Sequence, residues 1–235
     1  MPLAGKGMLL TSMDIDPSDE ADFNRWYDRE HLEERVAIDG FLEARRYVAH
    51  SGVALRAMPD TRAQPKYLCL YSTADLDVLD SPAYRKALAD PTDWSSKTMA
   101  RFKNMIRSVA HITISRGNGR GAVLGIVRLR PAAGAADVLR AGLRDALDPA
   151  GLDGIISMHL IESDPALSGP THIDASAAKP GAGDWFVLID GTGVGAVSQA
   201  MAARLTAGPA LKADVISSGV YNLMWDLARS DIPAV

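Results

Sequence analysis

An α+β fold built from two copies of a β-α-β-β-α-β unit is what the sequence predicts, and three observations carry that prediction. Apolar runs of period two alternate with runs of period 3.6 in a fixed order. A charged, glycine-rich stretch without an apolar residue, RGNGRG at 116–121, divides the 235 residues near their middle. The order of elements before that stretch recurs after it.

In the first half, GMLLTSMDID (7–16) reads as a strand, DEADFNRWYDREHLEERVAI (19–38) as a helix, and FLEARRYVAHSGV (41–53) as a strand after the turn signal Asp39-Gly40. The polar loop PDTRAQP leads to strand KYLCLYST (66–73). A helical region then starts near Ser81-Pro82, is interrupted at Asp90-Pro91 and reaches Phe102, and strand MIRSVAHITIS (105–115) follows. In the second half the series is strand AVLGIVRLR (122–130), helix AADVLRAGLRDAL (135–147), strand GIISMHLIES (154–163), a long loop, strand DWFVLID (184–190), helix VGAVSQAMAARLTA (194–207) and strand DVISSGVYNLMWDL (214–227). The domain expectation is a pocket-bearing repeat at 1–116, a linker at 117–121 and a mainly structural repeat at 122–235. Each such ferredoxin-like unit stacks its helices on one face of a four-stranded sheet and leaves the other face apolar. Two units cover each other, so one chain forms an intramolecular α/β barrel with its helices outside.

Bulk properties exclude several classes. A formal charge of -4 and a pI near 5.7 give no basic footprint for nucleic acid. Nothing approaches the roughly 20 apolar residues of a membrane span, and MPLAGKGMLLTSMDID is too short in apolar character and too acidic for a secretory signal. A single cysteine, Cys69 in the run YLCLY, fits a buried small side chain in a reducing compartment, and cytoplasm is the expected location. Homodimerisation of the fused barrel is left open.

The stretch NRWYDREHLEER (24–35) carries the chemistry. At about 100° per residue, Phe23, Tyr27, His31, Glu34 and Ile38 share a side, with Asn24 and Arg35 on its flank. Phe23 and Ile38 can anchor the two ends, but between them lie a phenol, an imidazole, an amide and a guanidinium. An apolar sheet would leave each unsatisfied at a cost of about 1–3 kcal/mol, and a polar cavity removes that cost. The competing arrangement rotates the helix, so that Trp26 and Leu32 pack while His31 and Arg35 face solvent. Those two residues lie about 120° apart and define no single stripe. Tyr27, His31 and Arg35, at successive steps of four, suit proton transfer, substrate orientation and stabilisation of negative charge.

Other walls follow from strand alternation. Tyr67, Cys69 and Tyr71 share one face of their strand, and Tyr47 shares a face with Arg45. His111, within an apolar run, is either a satisfied core histidine or a pocket histidine facing His31. Trp94 and Lys97 lie one turn apart beyond Asp90-Pro91, where they could edge a lid. His50 is expected at the surface, His159 on a strand, and His172 in the long loop. The first helix of the second half, with Val138, Leu139, Leu143, Ala146 and Leu147, reads as aliphatic packing. GTGVG (191–195) follows a strand and opens a helix, yet the antiparallel order and the misplaced Asp214 argue against a dinucleotide fingerprint. No CxxC, HExxH or GxSxG pattern occurs, so neither a metal site nor a serine nucleophile is indicated.

The pattern DFNRWYDREHLEER followed by GFLEARRY, after a strand ending in MDID, resembles the EthD-like branch of the dimeric α/β-barrel superfamily, here as a tandem fusion. The motif covers residues 8–50, and the second half is similar in topology alone. The resemblance implies a pocket between a sheet and its helices, in a superfamily that holds cofactor-free monooxygenases, polyketide cyclases, isomerases, decarboxylases and haem-handling enzymes. The functional expectation is a cofactor-independent enzyme of lyase or isomerase type acting on a small hydrophobic or aromatic oxygenated metabolite. His31 is its general acid/base, Tyr27 and Asn24 orient, Arg35 stabilises negative charge, and Tyr47, Tyr67, Tyr71, Trp94 and His111 are candidate substrate contacts. Two alternatives remain open: a cofactor-free monooxygenase or haem-binding member of the same fold, and a non-catalytic small-molecule-binding or stress-response module.

Overall fold

The computed structural model describes residues 3–51, 62–169, 182–205 and 212–233. Gly52-Val53 at the end of the second predicted strand, His172 and most of its loop, and the last two residues of the final predicted helix lie outside the described residues. The elements are β1 (Gly7–Asp14), α1 (Glu20–Trp26), a π-helical turn (Tyr27–His31), α2 (Leu32–Val36), β2 (Phe41–Ala49), β3 (Arg62–Ala63), β4 (Tyr67–Thr73), α3 (Pro82–Ala89), α4 (Asp93–Met99) and β5 (Lys103–Gly117). The second half adds β6 (Val123–Pro131), α5 (Ala136–Ala146), β7 (Ile155–Ser163), β8 (Trp185–Gly191), α6 (Val194–Leu205) and β9 (Ala213–Ala228). Two short 3₁₀ turns, Asp77–Asp80 and Arg229–Asp231, have no counterpart in the sequence reading.

Each half has the strand order second, third, first, fourth, and the halves join edge to edge. The cyclic order is β2-β4-β1-β5-β7-β8-β6-β9, with β9 pairing back to β2. Antiparallel seams β5–β7 and β2–β9 thus consume the edge strands that each repeat would leave exposed. The expected pair of facing sheets is therefore one closed sheet. Among the described residues only the two-residue β3 runs parallel, along β9.

Alternation along every strand separates an inner layer from two outer ones. Met8, Leu10, Leu68, Leu70, Ala110, Leu124, Ile126, Ile161, Phe186 and Leu188 fill the barrel. Under the helices of the second half, Leu139, Leu143 and Leu147 of the α5 region and Val197, Met201 and Leu205 of α6 pack on Val127, Leu129, Leu160, Val187 and Ile189. Gly125 permits this approach, because a Cβ there would lie 2.6 Å from Met201 Sδ and 2.7 Å from Val197 Cγ1. Val138, expected in that layer, is 60% exposed instead. Of the GTGVG glycines Gly191 serves packing, since a Cβ there would meet Val197 Cγ2 at 2.5 Å, whereas Gly193 and Gly195 have nothing within 4 Å.

One end of the barrel interior is charged. Arg45 Nη1 donates to Asp190 Oδ1 at 3.3 Å and to the Tyr47 hydroxyl at 3.3 Å, and its Nε lies 3.7 Å from Glu43. His159 Nε2 sits 3.6 Å from Asp190 Oδ2 and 3.0 Å from Ser157 Oγ, while Nδ1 meets Ser115 Oγ at 3.0 Å. The stretch between the halves closes the cluster, with Arg120 Nη2 2.6 Å from Glu43 and the Gly121 amide 3.4 Å from Asp190. β5 runs one residue into the expected linker, ending at Gly117.

Candidate functional site

The first helix of the first half is not a regular α-helix. Leu32 N–H donates to the Tyr27 carbonyl, closing an i→i+5 turn over Tyr27–His31. That turn accommodates one residue more than an α turn, and the buried set becomes Phe23, Trp26, Tyr27, His31, Leu32, Arg35 and Val36. Tyr27, His31 and Arg35 face inward, and Trp26 and Leu32 are buried with them; the rotation that would turn His31 and Arg35 to solvent does not occur. Asp28, Arg29 and Glu33 hold the solvent face.

Aromatic packing fixes the imidazole. The Trp26 indole stacks on His31 with centroids 4.1 Å apart at 27°, and its Nε1 is anchored on Ser95 Oγ at 3.0 Å. Tyr27 meets His31 edge-on at 5.2 Å. Helix α4, which supplies Ser95, is itself capped by Thr92, whose hydroxyl accepts from Ser95 N and donates to Glu30. The Asp90-Pro91 interruption thus separates two helices, as the sequence indicated.

Tyr27, His31 and Arg35 line a half-enclosed cavity of about 50 Å³ between this helix, α3, the end of α4 and the sheet. Leu9, Thr11 and Met13 of β1, Tyr71 of β4, and Met105 and Arg107 of β5 form the sheet side, and Tyr84, Leu88, Met99 and Phe102 complete the wall. Several polar atoms here are buried without a hydrogen-bond partner among the described residues: His31 Nδ1, Tyr71 Oη and Thr11 Oγ1. The Tyr27 hydroxyl finds only Met13 Sδ at 3.9 Å. Thr11 and Tyr71 lie near enough to perturb Tyr27 but not in bonding geometry.

Electrostatics set the protonation states. Burial holds the His31 imidazole well below its usual range, and the Arg35 and Arg46 guanidiniums push the same way, so it is neutral at pH 7. Burial raises the Tyr27 and Tyr71 phenols above their ordinary value, so both stay protonated as donors. Burial also pushes the Cys69 thiol up to about 12, consistent with a core residue.

The other predicted residues divide into a supporting layer and outliers. Arg46, which sequence reading missed, lies under the helix with its guanidinium 4.2 Å from the Tyr27 ring centroid, 5.2 Å from Phe23 and 5.5 Å from Tyr67. It donates to Asp28 at 3.0 Å and to Asn24 Oδ1 at 2.5 Å, and Asn24 Nδ2 reaches the Tyr67 hydroxyl at 3.4 Å. Asn24 and Tyr67 therefore brace the helix and do not line the cavity. Tyr47 is a correction: alternation points it, with Arg45, into the barrel interior. His111 is another, being exposed on β5 opposite Gly7 and Glu162, so neither its core nor its pocket reading holds. Trp94 packs on the outer flank of α1, donating to Asp22 at 3.3 Å, and edges no lid. His50 is half-buried against Asn222 at 3.0 Å. Among the described residues no cluster of histidine, cysteine and carboxylates could hold a metal ion, and no helix is long and apolar enough to cross a membrane.

No family model matches the sequence, and no curated protein matches it. Solved structures are similar in fold. An anthrone oxidase-like protein superposes with a TM-score of 0.61 at 9% identity, covering 98% of this chain and 96% of the other. A candidate monooxygenase from Lactobacillus acidophilus gives 0.55 at 11%, covering 96% and 97%. A DypB variant from Rhodococcus jostii, in complex with haem, gives 0.50 at 10%, covering 98% and 95%. Such identities establish the fold of the dimeric α/β-barrel proteins and leave the reaction open. Haem itself does not fit the described residues. A cavity of about 50 Å³ is far below the roughly 300–1,000 Å³ of sites for ligands of that size, and in the second half α6 lies directly on the sheet at Gly125.

Proposed function

We propose that the chain is an enzyme that removes a proton from a small, largely hydrophobic, oxygenated molecule held in the cavity at Tyr27, His31 and Arg35. The observation that supports this reading most is the coincidence of unpartnered, buried His31 Nδ1, Tyr71 Oη and Thr11 Oγ1 around one space. Each would cost about 1–3 kcal/mol if left permanently unmade, a pattern typical of sites whose partners arrive with the ligand. A neutral imidazole with a free nitrogen serves as a base. The protonated phenols of Tyr27 and Tyr71 donate to a substrate oxygen, and Arg35 offsets the negative charge that develops as the proton leaves. The stacked Trp26 fixes the ring, so little orientation is lost on binding.

Removal of that proton is the opening step of both an isomerase or lyase and a cofactor-free oxygenase. The anthrone oxidase-like and monooxygenase neighbours favour keeping the oxygenase as the second reading. One experiment reaches the shared step without knowing the product. A panel of phenols and aromatic ketones is incubated with the protein in D₂O, and loss of the acidic C–H signal is followed by NMR. Exchange that depends on His31, being lost in a folded His31→Gln variant, supports the base role. Exchange unchanged in that variant removes it. Oxygen consumption under the same conditions separates the oxygenase from the isomerase or lyase.

A further inference from the structure

The deeply buried arginines of this protein fall into two groups. Among the described residues five guanidinium side chains are buried: Arg35, Arg45, Arg46, Arg107 and Arg128. Three have a carboxylate. Arg45 lies 3.3 Å from Asp190, Arg46 3.0 Å from Asp28 and Arg128 2.5 Å from Asp184. Arg35 and Arg107 have none within ion-pair distance among the described residues, and these two line the cavity. Arg107 is aimed by neutral acceptors, the Leu167 and Gly169 carbonyls at 2.7 and 3.2 Å and the Tyr84 hydroxyl at 3.2 Å. Arg35 has a 3.4 Å contact to the Ala87 carbonyl. No aspartate or glutamate lines the space, and the one imidazole there is uncharged at neutral pH.

A buried charge normally carries its counter-charge with it, because desolvation of an isolated ion is costly. From this asymmetry we infer that the cavity is completed by an organic anion, a carboxylate or a comparably acidic oxygen acid, whose charge lies between Arg35 and Arg107. The inference rests on the proposed function and names its substrate class. The remaining wall describes the rest of the ligand: Leu9, Met13, Leu88, Met99, Phe102 and Met105 form an apolar surround for a hydrophobic body. Three of these are methionines, whose unbranched thioethers re-pack readily, so the resting volume can widen to admit a single aromatic ring. Paired donors on guanidinium suit a planar carboxylate, and charge-assisted hydrogen bonds are about twice as strong as neutral ones.

Benzoate and its neutral isostere benzamide test this by isothermal titration calorimetry on the full chain. The expected result is a benzoate preference of about tenfold to a hundredfold, reduced to within about threefold in Arg35→Gln and partly kept in Arg35→Lys. Arg85→Gln, which removes an exposed ion pair with Asp80 and whose side chain does not line the cavity, should leave the preference unchanged. Raised salt should weaken benzoate alone. Equal binding of the two probes, or a benzoate preference untouched by Arg35→Gln, overturns the anion inference while leaving the proton-transfer reading standing. A clear benzoate preference without His31-dependent exchange keeps the anion site and removes the reaction. If neither probe binds, the anion inference falls, and the exchange experiment decides the proton-transfer reading on its own.

Discussion

Replacing Tyr71 by phenylalanine should make the protein more stable. Tyr71 is 1% exposed, its hydroxyl has no hydrogen-bond partner, and the groups that perturb it, the Cys69 thiol and the Tyr27 hydroxyl, are not in bonding geometry. A buried, unsatisfied hydroxyl costs about 1–3 kcal/mol relative to its solvated state. Its ring, in contrast, meets Phe41 edge-on at 6.2 Å, a contact that phenylalanine retains. Removing one oxygen leaves a void of about a single atom, so the net gain is about 1 kcal/mol, or a melting temperature higher by about 2–4 °C in a chain of this size. Tyr84 supplies the opposite control. Its hydroxyl accepts from Arg107 at 3.2 Å, so Tyr84→Phe should cost about 0.5–1.5 kcal/mol. Urea unfolding followed by tryptophan fluorescence gives both values, provided that the slope is unchanged and only the midpoint moves. A Tyr71→Phe variant that is less stable by 1 kcal/mol or more would refute the reasoning, because its hydroxyl would then be bonded in the free protein and not held for a ligand.

Acid sensitivity should be traceable to His31. Its folded pKa lies below the unfolded value near 6.5, so below that pH the unfolded chain binds the extra proton and stability falls, by up to about 1.4 kcal/mol per pH unit for this group. His31→Gln should flatten the decline between pH 6.5 and 5 by that share, while buried His159, shifted the same way, keeps its own contribution; identical slopes would dismiss His31 as a source. Asp190→Ala strands Arg45 in the barrel with only Glu43 nearby and should cost about 3–5 kcal/mol in a denaturation experiment, whereas a loss under 1 kcal/mol would mean that the charged cluster is solvated. At Gly125, valine must push against Val197 and Met201, and a penalty of about 1–3 kcal/mol is expected by calorimetry; a neutral result would show that α6 does not sit directly on the sheet.

The fold was legible because each strand announced its two faces. The run YLCLYST separates Tyr67, Cys69 and Tyr71 from Leu68 and Leu70 without any tertiary knowledge, and the structure keeps that separation. What alternation cannot say is which face meets helices and which meets the barrel interior. Alternation pairs Tyr47 with Arg45 without revealing that their shared face meets the barrel interior, which leaves Arg46 on the face beneath the helix. The cavity was legible in part: Tyr27, His31 and Arg35 follow from a helical step of four, but the sheet side required the register of β1, β4 and β5. Arg107 does leave a signal, as the lone charge in the apolar strand MIRSVAHITIS, whereas His111 of the same strand is exposed. The simultaneous burial of Trp26 and Leu32 lay beyond a uniform 100° step, since no such step accommodates an i→i+5 turn.

The π turn also makes the history of this site countable in codons. Deleting the codon for Arg29, whose side chain is exposed, would let the segment relax to an ordinary α-helix of nearly the same length. The bond from Leu32 N–H to the Tyr27 carbonyl would then close an i→i+4 turn, and His31, Leu32 and Arg35 would fall at steps of three, four and seven from Tyr27, still on the inward face while the strands stayed paired. A homologue without that residue would keep both the scaffold and the inward set, with a regular helix in place of the π turn. In an alignment of this lineage, a one-position gap between Tyr27 and Leu32 would mark a chain that lacks the π turn, within a barrel that already persists at 9% identity.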